Sequence, residues 1–189
     1  GYNDTLDGGA GDDVLSAGNP DQRDTVYIGG QGSDTMNGSY YNDAYIFNRG
    51  DGSDTINETS YGYTHTDTLR FGAGIAVADV GARRSGNDLV VSVAGQAGDQ
   101  ITIKNWFANV NTYHIEQTVF ADGTRWNAAE LSRLALQTSN LGTAGNDAMA
   151  GTFHHAETLF GQGGNDTLTA AGYNDTLDGG AGDDVLSAG

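Results

Sequence analysis

Cysteine is absent from this chain and proline occurs once, at Pro20. Without cysteine there are no disulfides and no thiolate-bound metals. Basic side chains are scarce: 8 stand against 25 acidic ones, for a net charge of -17. Such a surface repels nucleic acid and anionic membranes, so neither is expected as a partner. No apolar stretch approaches the length of a membrane span. There is no HExxH or GxSxG motif and no phosphate-binding P-loop, so nothing points to catalysis by this chain. The chain opens in mid-repeat at Gly1 and reads as an excerpt, whose missing termini would carry any targeting signals.

Glycine is what the sequence has in excess, 30 of 189 residues. The glycines recur at fixed spacing among apolar residues, which argues for tight turns rather than a flexible linker. Residues 8–16 (GGAGDDVLS), 29–37 (GGQGSDTMN) and 179–187 (GGAGDDVLS) fit the template Gly-Gly-x-Gly-x-Asp-x-apolar-x. Looser copies stand at 49–57, 142–150, 161–169 and 170–178. The first six residues suit a turn that points carbonyl oxygens inward, since glycine permits positive φ. The sixth adds a carboxylate to that oxygen cluster. The last three alternate around one apolar residue, as in a short strand. Leu6, Leu15, Met36, Ile56, Met149, Leu168, Leu177 and Leu186 hold that apolar position and are expected to be buried. Two nonapeptides then make one coil with a strand on each of two parallel sheets, and like turns stack along an edge.

These nonapeptides resemble the RTX (repeats-in-toxin, haemolysin-type calcium-binding) family. The resemblance implies that Ca2+ ions sit between stacked turns, held by the position-six aspartate and the carbonyls of the turn glycines. By position, the carboxylates are Asp4, Asp13, Asp34, Asp43, Asp54, Asp147, Asp166, Asp175 and Asp184; Asp24 and Glu157 are further candidates in segments that depart from the template. The glycines are Gly8, Gly9, Gly11, Gly29, Gly30, Gly32, Gly50, Gly52, Gly142, Gly145, Gly161, Gly164, Gly179, Gly180 and Gly182. Asp13, Asp34 and Asp54 are expected to line up on one edge, and Asp147, Asp166 and Asp184 on another. Three segments depart from the template: 17–28 carries extra residues around Asp24, 38–46 puts tyrosines where small residues belong, and 151–160 is one residue too long.

From about Thr59 to Leu141 the nonapeptide gives way to ordinary globular patterning. Val80–Arg84 and Leu89–Val93 suit an antiparallel hairpin across Ser85-Gly86-Asn87-Asp88. Gln100–Lys104 and His114–Phe120 read as strands, Trp106-Phe107 as a core anchor. Asn127 with Glu130 forms a capping-box start for a helix to about Gln137, with Leu131, Leu134 and Ala135 on its apolar face. This stretch is similar to the haemolysin-type calcium-binding related region often found between RTX arrays. The expected fold is all-β: two parallel β-rolls, 1–58 and 142–189, flanking a small β-rich region, 59–141, with one short helix.

Residues 1–18 recur unchanged at 172–189, an offset of 171. One unit of a tandem array would produce this; an artificial duplication is the alternative. Neighbouring repeat units of the same chain are then partners. The four histidines read as turn and strand residues, and adjacent His154-His155 point opposite ways along a strand. Tyr40, Tyr41, Tyr61 and Tyr63 suit loop packing, or stacking on a sugar. The reading that follows is a calcium-binding structural module of a secreted or surface bacterial protein, such as an adhesin or extender, which the resemblance implies is exported by type I secretion. The alternatives are an accessory module of a secreted lipase, protease or polysaccharide-modifying enzyme, and a carbohydrate-binding module.

Overall fold

The computed structural model describes residues 4–17, 24–58, 65–108, 114–151, 158–170 and 174–188. The chain divides into two compact units, Gly1–Ala135 and Leu136–Gly189. Among the described residues, no helix is long and apolar enough to cross a membrane.

In the first unit the chain alternates between two sheets through β1 (Thr5–Ala10), β2 (Val14–Ser16), β3 (Val26–Gln31), β4 (Thr35–Asn37), β5 (Ala44–Phe47), β6 (Ser53–Asn57) and β7 (Thr68–Phe71). Odd-numbered strands pair in parallel in one sheet and even-numbered strands in the other. This is a parallel β-roll of stacked coils. Its register explains the one-apolar-residue repeat: Leu15, Met36, Ile56 and Ile103 form a column in one sheet. Leu6, Tyr27, Tyr45 and Leu69 form the facing column in the other. Leu6 is partly buried, and the other residues of both columns are buried in one core. The rings of Tyr27 and Tyr45 stack with centroids 5.1 Å apart.

Both sheets continue beyond the nonapeptides. A 3-10 turn at Val77–Asp79 leads into the antiparallel hairpin β8 (Val80–Ser85) and β9 (Asp88–Val93). β10 (Gln100–Ile103) then pairs antiparallel with β9 and parallel with β6. β11 (Gln117–Val119) extends the first sheet parallel to β7, shorter than the strand expected over His114–Phe120, and β12 (Arg125–Asn127) closes it antiparallel. Trp106 is fully buried, and its ring N–H donates to Ser132 Oγ at 2.8 Å. The helix α1 (Ala128–Ser139) starts at the expected capping box: Glu130 N–H donates to Asn127 Oδ1 and Asn127 N–H to Glu130 Oε2. Leu131 and Ala135 are buried and Leu134 partly so.

The second unit is a smaller roll. β13 (Ala148–Ala150), β15 (Thr167–Ala170) and β17 (Val185–Ala188) make one parallel sheet, β14 (Thr158–Phe160) and β16 (Thr176–Asp178) the other. Leu159 and Leu168 are buried. Leu186, expected inside, is 48% exposed on the edge strand β17 of this smaller roll.

Candidate metal centre

One edge of the first roll carries the turns 8–13, 29–34 and 49–54. Their aspartates are wired in series: Asp13 N–H donates to Asp34 Oδ1 at 2.8 Å, and Asp34 N–H to Asp54 Oδ1 at 3.1 Å. The backbone answers in the other direction, with Thr35 N–H donating to Asp13 O and Thr55 N–H to Asp34 O. Consecutive coils are thus fastened by a reciprocal pair of bonds at each aspartate. The second unit repeats the arrangement: Asp147 N–H donates to Asp166 Oδ1 at 2.8 Å and Asp166 N–H to Asp184 Oδ1 at 2.9 Å. Both expected rows of aspartates are therefore present. A second row, which the sequence reading did not single out, uses position five: Ser33 N–H donates to Asp12 Oδ1, Asn165 N–H to Asn146 Oδ1 and Asp183 N–H to Asn165 Oδ1.

The turn glycines make the stacking possible. Gly30 has φ +95°, and a Cβ there would overlap the carbonyl oxygen of Gly9 in the coil before it. Gly9, Gly11, Gly32, Gly50, Gly52, Gly164, Gly180 and Gly182 share the positive φ. The first glycine of each turn has another role. A Cβ on Gly8 would stand 2.6 Å from Gly29 O and 2.9 Å from Asp13 Oδ2; one on Gly29 would stand 2.6 Å from Asp34 Oδ2. At Gly142, Gly161 and Gly179 the same point is likewise crowded by the Oδ2 of Asp147, Asp166 and Asp184. A carbonyl oxygen of one coil and a carboxylate oxygen of another so converge on a gap that a side chain would fill. Gly145 has no comparable neighbour, its nearest atom being Thr143 Oγ1 at 3.7 Å.

Oδ2 of Asp13, Asp34, Asp54 and Asp166 is buried and meets no hydrogen-bond donor. Burial pushes the Asp54 carboxyl up to about 7, with the charges of Asp34, Asp51 and Asp99 adding to the effect. Burial raises Asp51 in the same way. Neither Asp51 nor Asp99 was singled out in the sequence, yet Asp99 Oδ2 accepts from Gly50 N–H at 2.8 Å. A buried carboxylate oxygen without a donor costs several kcal/mol unless a proton or a cation meets it. Converging carbonyl and carboxylate oxygens suit a hard cation such as Ca2+. The residues present fit the group implied by the sequence. Asp147 differs, because Thr143 N–H and Oγ1 already donate to its Oδ2.

On the opposite edge of the first roll the register corrects one assignment. Val26 pairs with Ala44, so Thr25 rather than Asp24 is level with Asp43. Thr25 N–H donates to Asp43 Oδ1 at 3.0 Å, whereas Asp24 is exposed and accepts from Asn42 Nδ2. The extra residues of 17–28 shift the carboxylate by one place. Asp4 is level with Thr25, half-buried. The row continues from Asp43 N–H to Asp67 Oδ1 at 2.7 Å and from Asp67 N–H to Glu116 Oε2 at 2.7 Å. Asp67 and Glu116 were missed, although Asp67-Thr68-Leu69 repeats the Asp-Thr-Leu of residues 4–6, 166–168 and 175–177. In the second unit Asp175 is half-buried ahead of β16. Glu157, His154, His155, Tyr61 and Tyr63 lie outside the described residues.

Residues 1–19, 28–44 and 159–189 match the RTX calcium-binding nonapeptide repeat (4 copies), and residues 88–130 match the haemolysin-type calcium-binding protein related domain. No curated protein sequence matches the chain. Among solved structures it is similar to the extracellular lipase LipA from Serratia marcescens, with 23% sequence identity, a TM-score of 0.41 and 87% of this chain covered. The match spans 26% of that lipase. The turns 8–13, 29–34, 161–166 and 179–184 fall inside the matched repeats, which are structural rather than catalytic elements. Both units of this chain thus carry calcium-binding nonapeptides of the RTX type, and the first also contains the haemolysin-related segment.

Proposed function

We propose that this chain is a calcium-dependent structural module of a secreted or surface protein, unfolded where calcium is scarce and folded outside the cell. Asp13, Asp34 and Asp54, and Asp147, Asp166 and Asp184, hold ions between coils together with the carbonyls of their turns. The observation that supports this is the set of buried, donorless Oδ2 atoms on Asp13, Asp34, Asp54 and Asp166. Without a cation, neighbouring carboxylates on one edge repel by roughly a few kcal/mol per close pair. Ordering the turns costs a further 1–2 kcal/mol or so per residue. A roll that buries one apolar side chain per nonapeptide does not offset both.

Calcium reverses the balance, since a ligand that binds only the folded state stabilises it by about 1.4 kcal/mol per site at tenfold excess over Kd. Extracellular calcium modules have Kd values around 10⁻⁴–10⁻³ M, so such sites are empty in cytosol and filled outside. The 18-residue identity between the two ends supports a tandem array with a 171-residue period, in an adhesin or extender exported unfolded by type I secretion. Circular dichroism of the whole chain across a calcium titration tests the reading. The β signal is expected to be largely lost in chelator and to return cooperatively with calcium. Full β structure in chelator, unchanged by calcium, overturns it.

A further inference from the structure

The second edge of the first roll holds a cluster that the nonapeptide pattern does not describe. Asn37 pairs with Asn57, so Glu58 follows β6 at the place where Gly38 follows β4. In the repeat that place belongs to glycine. A Cβ on Gly38 would stand 2.7 Å from both Glu58 carboxylate oxygens, and it would overlap the Tyr45 hydroxyl. The glycine at 38 is what admits a carboxylate side chain into the interior between the coils. Asp43 and Asp67, level with each other in successive coils, complete the group. Asp43, Glu58 and Asp67 are 1%, 1% and 0% exposed, and one oxygen of each lies within 4.8 Å of the others.

The hydrogen bonds leave a gap in this cluster. Asp43 accepts from Thr25 N–H, Ser39 N–H and Ser39 Oγ. Glu58 Oε2 accepts from the Tyr45 hydroxyl. Asp67 Oδ1 accepts from Asp43 N–H, but its Oδ2 is buried without a hydrogen-bond donor, with His65 Nε2 at 3.3 Å. Oxygens bound to one Ca2+ ion at about 2.3–2.6 Å lie at most about 5 Å apart, the span seen here.

We infer that Asp43, Glu58 and Asp67 form an enclosed site for a single hard divalent cation, distinct in make from the turn sites of the first edge. Three carboxylates supply it, where a turn supplies one carboxylate and backbone carbonyls. Oxygen-only donors select a hard ion. Enclosure favours calcium over magnesium, which sheds its water reluctantly. With three carboxylates directed at one enclosed point, this site fills first and empties last. It extends the calcium reading of the first edge without depending on it.

The test uses the whole chain with Tb3+ and Ca2+ as probes. Tyr45 donates to Glu58, so an ion on Glu58 sits beside a tyrosine that sensitises terbium emission. The first equivalent of Tb3+ added to the wild-type chain is expected to give most of the tyrosine-excited emission, and a hundredfold excess of Mg2+ to leave it in place. Glu58→Gln keeps the shape and the acceptor for Tyr45; it is expected to lower emission at least fivefold and to remove one ion from the calcium stoichiometry. Asp34→Asn is expected to lower the stoichiometry while keeping the early emission. If Glu58→Gln folds in calcium with wild-type stoichiometry and emission, the inference falls, while a loss in Asp34→Asn still upholds the first-edge reading. If Glu58→Gln does not fold, the wild-type titration decides: early equivalents without sensitised emission, or emission quenched by Mg2+, overturn the site.

Discussion

The same 18 residues occur at both ends of this chain, and they do not have the same structure. In the first unit Leu15 is 6% exposed; its copy in the second unit, Leu186, is 48% exposed. Thr5–Ala10 is a six-residue strand, whereas its copy is a strand over Thr176–Asp178 only. Asp13 gives its N–H to the next coil, while Asp184 offers its carboxylate to the coil before. With sequence held constant, the difference comes from which side a neighbouring coil occupies. A nonapeptide here is half of a structure, and the adjacent coil supplies the rest.

The sharpest way to break that comparison is to alter one glycine in each copy. Gly9 and Gly180 both have φ +87°, yet a Cβ on Gly9 would meet nothing within 4 Å, and one on Gly180 would overlap Gln162 O. Gly180→Ala is expected to cost about 3 kcal/mol or more in calcium, and Gly9→Ala about 1 kcal/mol, the strain of the backbone conformation alone. Denaturant unfolding of each variant in calcium measures both, and equal costs would sink the account. Next in size is the apolar pair: Leu15→Ala is expected to cost about 3 kcal/mol and Leu186→Ala under about 1 kcal/mol, read from the same transitions.

The smallest effect is one of pH, in chelator. The Asp54 carboxyl is raised to about 7 by burial in the folded chain, against an ordinary value near 4 when unfolded. Between those two values the folded state binds more protons, so its stability falls as pH rises through the window. Acidifying the chelated chain from pH 7 towards 5 is expected to recover on the order of 1 kcal/mol, or a measurable part of the β signal, in the first roll. With calcium bound the trend reverses, since protons compete with the ion. Titrating amide exchange around Asp54 with and without calcium checks both signs.

Where the nine-residue period holds, the sequence was enough to read strands, turns and the rows of aspartates, because each position has one job repeated many times. It failed where coil length changes. The coil from Asp43 to Asp67 is 24 residues long, so the period that marks Asp43 does not reach Asp67. Glu58 stands in a glycine's place and was invisible to the template. Asp24 was misplaced by one residue for the same reason, since only pairing with Ala44 shows that Thr25 is level with Asp43. The continuation of both sheets through β10 and β11 is long-range pairing, which local patterning does not encode. Leu186 was placed inside by its position in the template, and exposure depends on a neighbour that the template does not count.

The row of aspartates also sets what this architecture tolerates. Successive members are 21 and 20 residues apart in the first unit and 19 and 18 in the second, but their hydrogen bonds stay between 2.8 and 3.1 Å. Stacking pitch is therefore decoupled from contour length: the aspartate edge keeps time while the number of residues per coil varies. Coil length can therefore vary between β2 and β3 or between β6 and β7 without disturbing the spacing of the aspartate row, which makes those stretches of sequence the natural places to graft new residues.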